Sequence, residues 1–87
     1  MKIKDGFMVR EIAEQYVVVP VGAEVVSFNG MMHINESGML LFRQLQKGCT
    51  EDDLVQLLLD TYDVTGEQAK QDVGNFIHKI ATADLLV

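Results

Sequence analysis

The chain has 87 residues, enough for one domain, and its 48% hydrophobic content sets it apart from disordered sequences. Its net charge is −6 and its seven basic residues (Lys2, Lys4, Arg10, Arg43, Lys47, Lys70, Lys79) are scattered, which argues against nucleic-acid binding and against docking on anionic lipid. No apolar run is long enough to span a membrane, residues 1–6 lack the apolar core of a signal peptide, and the lone Cys49 excludes an internal disulfide, so a cytoplasmic location is the expectation.

The N-terminal third has the composition of strands. Phe7 to Ile12 and residues 15–21 are rich in β-branched and aromatic residues, and Ala13-Glu14 between them has the length of a two-residue hairpin without the favoured Gly or Asn. Pro20 marks the place where the second strand ends or distorts. Val25-Val26-Ser27-Phe28 and Met31-Met32-His33-Ile34 flank Asn29-Gly30, the strongest hairpin signal in the chain, because Asn and Gly accept the positive φ angles of a type I′ turn. A three-stranded antiparallel meander is expected, with Gly22-Ala23-Glu24 as an irregular break or bulge.

From Asn35 the periodicity becomes helical. Three helix starts repeat one pattern of an apolar residue, a capping side chain and an apolar residue four beyond it: Ile34-Asn35 with Met39, Cys49-Thr50 with Leu54, and Val64-Thr65 with Ala69. Thr65 and Gln68 have the spacing of a capping box, Glu51, Asp52 and Asp53 set negative charge at the positive end of the second helix, and Gly48 suits the end of the first. The predicted apolar stripes are Met39, Leu41, Phe42 and Leu45; Leu54, Leu57, Leu58 and Tyr62; and Ala69, Val73, Phe76, Ile77 and Ile80. The closing Leu85-Leu86-Val87 is expected to pack back on the core. The fold class is α+β, a three-stranded N-terminal sheet followed by three helices, in a single domain over residues 1–87.

This inventory does not assemble an active site, a cofactor site or a metal site. Two histidines and one cysteine are too few for a zinc centre of the usual kind; His33 on a strand and His78 on the polar side of the third helix read as solvated. Cys49 before the Thr50 cap reads as a staple residue rather than a nucleophile, residues 51–53 fan around a helix axis as a solvated first turn, and Gly38, Gly66 and Gly74 form no phosphate-binding fingerprint. A mid-helix Gly74 costs stability relative to Ala, which points to close backbone approach there.

In a meander the first and third strands are the edges. Arg10 and Glu11 blunt the first, whereas Met31 to Ile34 contains no Lys, Pro or carboxylate. Alternation puts Met32 and Ile34 on one face and Met31 and His33 on the other. Such an edge is open to a foreign strand, self-paired in a homodimer, or covered by the termini. Four main-chain hydrogen bonds contribute about 0.5–1.5 kcal/mol each. Micromolar affinity needs about 8 kcal/mol after association costs. A docked peptide therefore needs apolar anchors as well, each contributing roughly 1.5–3 kcal/mol, in a groove beside the strand.

Phe28-Asn29-Gly30-Met31-Met32-His33-Ile34-Asn35-Glu36-Ser37-Gly38, followed by a short amphipathic helix ending at Gly48, resembles the PqqD family, whose pattern here is an apolar residue, Asn-Gly, a short apolar strand and Leu-Asn-Glu-Thr-Gly. Met8-Val9-Arg10-Glu11-Ile12 and Asp72-Val73-x-x-Phe76 leading to Asp84-Leu85-Leu86 are similar to it as well, except that Asp84 stands where a Gly usually precedes the final leucines. The resemblance covers nearly the whole chain, and the order and spacing of its pieces carry it. It implies a winged-helix-like RiPP recognition element: a non-catalytic adaptor that binds the leader of a ribosomally made precursor peptide by strand addition and presents it to a modifying enzyme, typically a radical SAM protein. The founding member serves PQQ biosynthesis. Any metal or cofactor belongs to the partner enzyme. By position, the peptide-binding residues implied are Met31, Met32, His33 and Ile34 on the strand and Asp72, Asn75, Phe76 and Lys79 on the third helix, with Lys70, Gly74 and Ala81 as the alternative flank. A winged-helix DNA-binding domain and a self-associating structural domain are the competing readings; charge disfavours the first.

Overall fold

The β-branched and aromatic run Phe7–Ile12 forms β1 and Gln15–Pro20 forms β2, paired antiparallel from Phe7 opposite Pro20 to Ile12 opposite Gln15. The computed structural model describes residues 1–22 and 32–87, so the expected strand at 25–28, the Asn29-Gly30 turn and Met31 lie outside the described residues. Ala13 (φ 53°) and Glu14 (φ 66°) connect the strands in the left-handed conformation that a type I′ turn requires, without the residues that usually adopt it. Pro20 ends β2; Val21 falls just outside, though its N–H still donates to Gly6 (2.8 Å). β3, Met32–Ile34, pairs with β2 through Tyr16–Ile34, Val17–His33 and Val18–Met32, and the strand order is β1-β2-β3.

Three helices follow: α1 (Glu36–Lys47), α2 (Glu51–Thr61) and α3 (Gly66–Thr82). Each starts at its expected cap. Asn35 accepts from the N–H of Gly38, Thr50 from Asp53 and Thr65 from Gln68. The complete capping box is at α2, where the Asp53 carboxylate accepts the Thr50 N–H (3.0 Å). At α3 the reciprocal arm is missing, because the Gln68 amide instead donates to Asp72 one turn on (2.8 Å). Gly48 ends α1 with φ 89°, where a side chain would be strained.

Phe7 and Val18 from one sheet face meet Leu41, Phe42 and Leu45, Leu54 and Leu58, and Ala69, Val73, Phe76 and Ile80 in one core, with Met32 and Ile34 packed against it. In α2 the buried set is Leu54, Val55 and Leu58, and the predicted Leu57 and Tyr62 are half-buried and pack against the core from its edge. A Cβ at Gly74 would meet nothing within 4 Å; the expected close approach there is absent, and the glycine is exposed on the solvent side of α3.

The two ends of the chain close on each other. Ile3 bridges Leu86, with Lys4 donating to Leu85 (2.8 Å), Val87 to Lys2 (2.9 Å) and Ile3 to Leu45 (3.0 Å). Leu85 is fully buried and Leu86 packs against the core, as expected, but Val87 is 86% exposed, so the closing segment packs back only through its leucines. Asp84 turns the chain into this clasp with φ 63° and pairs with Lys4 at 3.0 Å. The left-handed φ is the physical reason for a glycine at this position. Among the described residues no helix is long and apolar enough to cross a membrane.

Candidate functional site

The register fixes which backbone groups of β3 are free. Val21 donates across the hairpin to Gly6, so the odd-numbered residues of β2 point their N–H and C=O at β1 and the even-numbered ones at β3. Tyr16–Ile34 and Val18–Met32 are therefore the hydrogen-bonded pairs, and His33, opposite Val17, turns both its N–H and its C=O outward. Among the described residues its N–H has no partner. Its C=O accepts a hydrogen bond from the Lys79 ammonium at 2.7 Å, across 46 residues of sequence.

Lys79 brings α3 alongside this edge, and a groove of about 950 Å³ lies between them. Phe76 and Leu41 are its buried apolar floor, Ile34 and Tyr16 its sheet wall, and Asn75 and Lys79 its exposed helical rim. The start of α1 closes one end. There the Asn35 side chain holds the Gly38 N–H (2.8 Å), and a Cβ on Gly38 would stand 3.1 Å from Asn35 Oδ1, 3.2 Å from Ile34 Cβ and 3.5 Å from Phe76 Cε1. The Asn-Glu-Ser-Gly turn is thus compact because a glycine lets α1, β3 and α3 meet at one point. The β1 edge is treated differently: its outward Phe7 C=O accepts from Gln46 of α1 (3.1 Å), and Arg10 and Glu11 lie exposed along it.

Of the residues singled out in the sequence, His33, Ile34, Asp72, Asn75, Phe76 and Lys79 line this one groove, and Lys70, Gly74 and Ala81 do not. Met32 does not line it, since its side chain turns to the core. Sequence reasoning did not place Glu14, Gln15, Tyr16, Leu41 or residues 35–38 in this groove. Glu14 and Tyr16 reach the groove only through the strand register, and Leu41 was assigned to the core alone.

The groove carries an uneven charge. Glu14, Glu36 and Asp72 line it against the single cation Lys79, and no ion pair engages any of these carboxylates among the described residues. Among the described residues no three metal-ligating side chains come together. Burial, then the Asp53 carboxylate, pushes the Cys49 thiol up against a smaller opposing effect of the N-terminal ammonium, so the thiolate is scarce at neutral pH. The Tyr62 hydroxyl is buried without a partner among the described residues, and burial, then Glu36 and Tyr16, raises its pKa.

A family model described as coenzyme PQQ synthesis protein D matches residues 15–86. No curated protein matches. Two solved structures share the fold. TbiB1 in complex with the TbiA(beta) leader peptide superposes with a TM-score of 0.77 at 20% identity, covering 99% of this chain and 94% of that one. Lasso peptide synthetase B1 complexed with the leader peptide gives 0.74 at 17% identity, covering 97% and 93%.

Proposed function

Because the chain belongs to the PqqD family, we propose that it is a non-catalytic adaptor that takes up an extended leader segment of a ribosomally made precursor peptide as an added strand beside β3. The observation that carries this reading is the outward pair of His33 backbone groups bordering a groove with an apolar floor. One strand edge supplies direction and register, and the Phe76–Leu41 floor supplies the side-chain burial that main-chain pairing alone cannot provide. The leader complexes formed by the two structural relatives support the same use of the fold. Residues 1–87 act as one recognition unit, in the cytoplasm, and hand the bound precursor to a modifying enzyme. A radical SAM enzyme is the partner that the family resemblance implies, and the chemistry and cofactors of modification are the partner's. Met31, outside the described residues, and Met32 extend the contact strand, and Asp72, Asn75, Phe76 and Lys79 form its far wall.

His33→Pro tests this mechanism selectively. On the backbone, proline removes only an N–H that points away from β2, so the β2–β3 ladder is retained. A displayed library of random dodecapeptides, panned on the wild-type protein, is expected to yield binders that shift the His33 amide resonance and bind the variant at least about tenfold more weakly. Binders that leave the His33 amide unmoved and bind both proteins equally, or a stable dimer that buries this edge, would remove the assignment.

A further inference from the structure

Resting on strand addition at β3, we infer that the groove selects a cationic peptide: the captured segment carries Lys or Arg where it passes the end of β3. α3 runs antiparallel to β3 across the groove. Lys79 stands opposite His33 at 2.7 Å, and Phe76 lies beside the Gly38 turn that follows β3. Asp72 is one further turn along, about 6 Å beyond Phe76 on the side away from Lys79. At the same end the register extends from Tyr16–Ile34 to the hairpin residue Glu14 and the first residue of α1, Glu36. The three carboxylates therefore gather where β3 ends, and the one cation sits further back along the strand.

Local partners do not cancel this charge. Among the described residues Asp72 accepts only a neutral amide, from Gln68 at 2.8 Å. Glu36 answers the positive end of α1, where Asn35 already takes the Gly38 N–H, which leaves Glu14 and Asp72 in excess. Lys79 donates to a neutral carbonyl, the acceptor that an incoming strand would use. The stretch outside the described residues adds no cation, since Glu24 is its one charged residue. An acidic segment would enter against this field, whereas a cation among apolar residues meets it at short range beside low-dielectric walls.

The test uses the same random dodecapeptide library on three proteins: wild type, Glu14→Gln/Asp72→Asn, and the triple variant that adds Glu36→Gln. Folding is checked by circular dichroism, and the double variant avoids the α1 first turn. Wild-type binders are expected to be enriched in Lys and Arg over the starting library. Replacing that residue by Gln in a selected peptide should weaken binding about fivefold at low salt and less at 0.5 M, where charges are screened within about 4 Å. Among binders that shift the His33 amide resonance, the enrichment should fade in the double variant and vanish in the triple. Binders without cation enrichment, or enriched in Asp and Glu, overturn the inference and leave the adaptor reading standing. A library that yields no binder to this edge fails the adaptor reading itself, and the inference with it.

Discussion

The backbone groups of residues 1–4 meet backbone partners at Leu45, Cys49, Leu85 and Val87, whereas the outward groups of His33 meet one lysine side chain. The clasp closes over buried side chains, whereas His33 lies exposed, where water can meet an unpaired N–H. At the clasp the chain supplies partners from its own main chain and buries Ile3 and Leu85 beneath them. At β3 the stand-in is a flexible ammonium that an incoming N–H can replace. The clasp is thus closed by the chain's own main chain, whereas the proposed docking edge is held by one side chain, and variants at the two places should separate stability from binding.

The largest effect is expected from Leu85→Ala. Removing a fully buried leucine should lower unfolding stability by about 2–5 kcal/mol in a urea titration. The affinity of the folded fraction for a groove-binding peptide should stay the same. A matching loss of affinity would break the division of labour. His33→Pro is expected to do the reverse, with binding reduced at least about tenfold and stability changed by less than about 1 kcal/mol.

Two glycines sharpen the contrast, one lining the groove and one outside it. At Gly38 a methyl group would crowd the Asn35 cap and Ile34, so Gly38→Ala should destabilise by about 1–2 kcal/mol. Gly74→Ala, with open space around it, should stabilise by about 0.5–1 kcal/mol through helix propensity and leave binding untouched. Paired thermal melts would show the opposite signs.

Much of this arrangement was legible in the sequence because its signals are local. Asn35, Thr50 and Thr65 announce helix starts within four residues, and Ala13-Glu14 is flanked by alternating strands. The stripe from Ala69 to Ile80 fixes the buried face of α3. Which flank of that helix borders β3 was not legible, since it depends on how α3 docks, and the contact between Lys79 and His33 spans 46 residues. Gln68 was misread for a related reason: two acceptable partners lay within its reach, and sequence spacing does not rank them. Gly74 was misread because a costly residue was taken to imply a neighbour, where the helix merely tolerates it on its exposed side.

The smallest expected effect concerns the turn into the clasp, where Asp84 holds φ 63° and pairs with Lys4 through a largely exposed carboxylate. Two contributions oppose each other. Left-handed backbone costs an ordinary L residue about 1–2 kcal/mol, less for Asp than for Ala, and nothing for Gly. The ion pair contributes at most about 1 kcal/mol and is screened by salt. Asp84→Ala loses the pair and keeps the strain, so it should lower the melting midpoint at any ionic strength. Asp84→Gly loses the pair but relieves the strain, so it should match wild type at low salt and exceed it at 0.5 M salt, by a few tenths of a kcal/mol. If Gly instead tracked Ala, the ion pair rather than the backbone would hold the clasp, and the clasp would then share with the β3 edge a dependence on a single lysine.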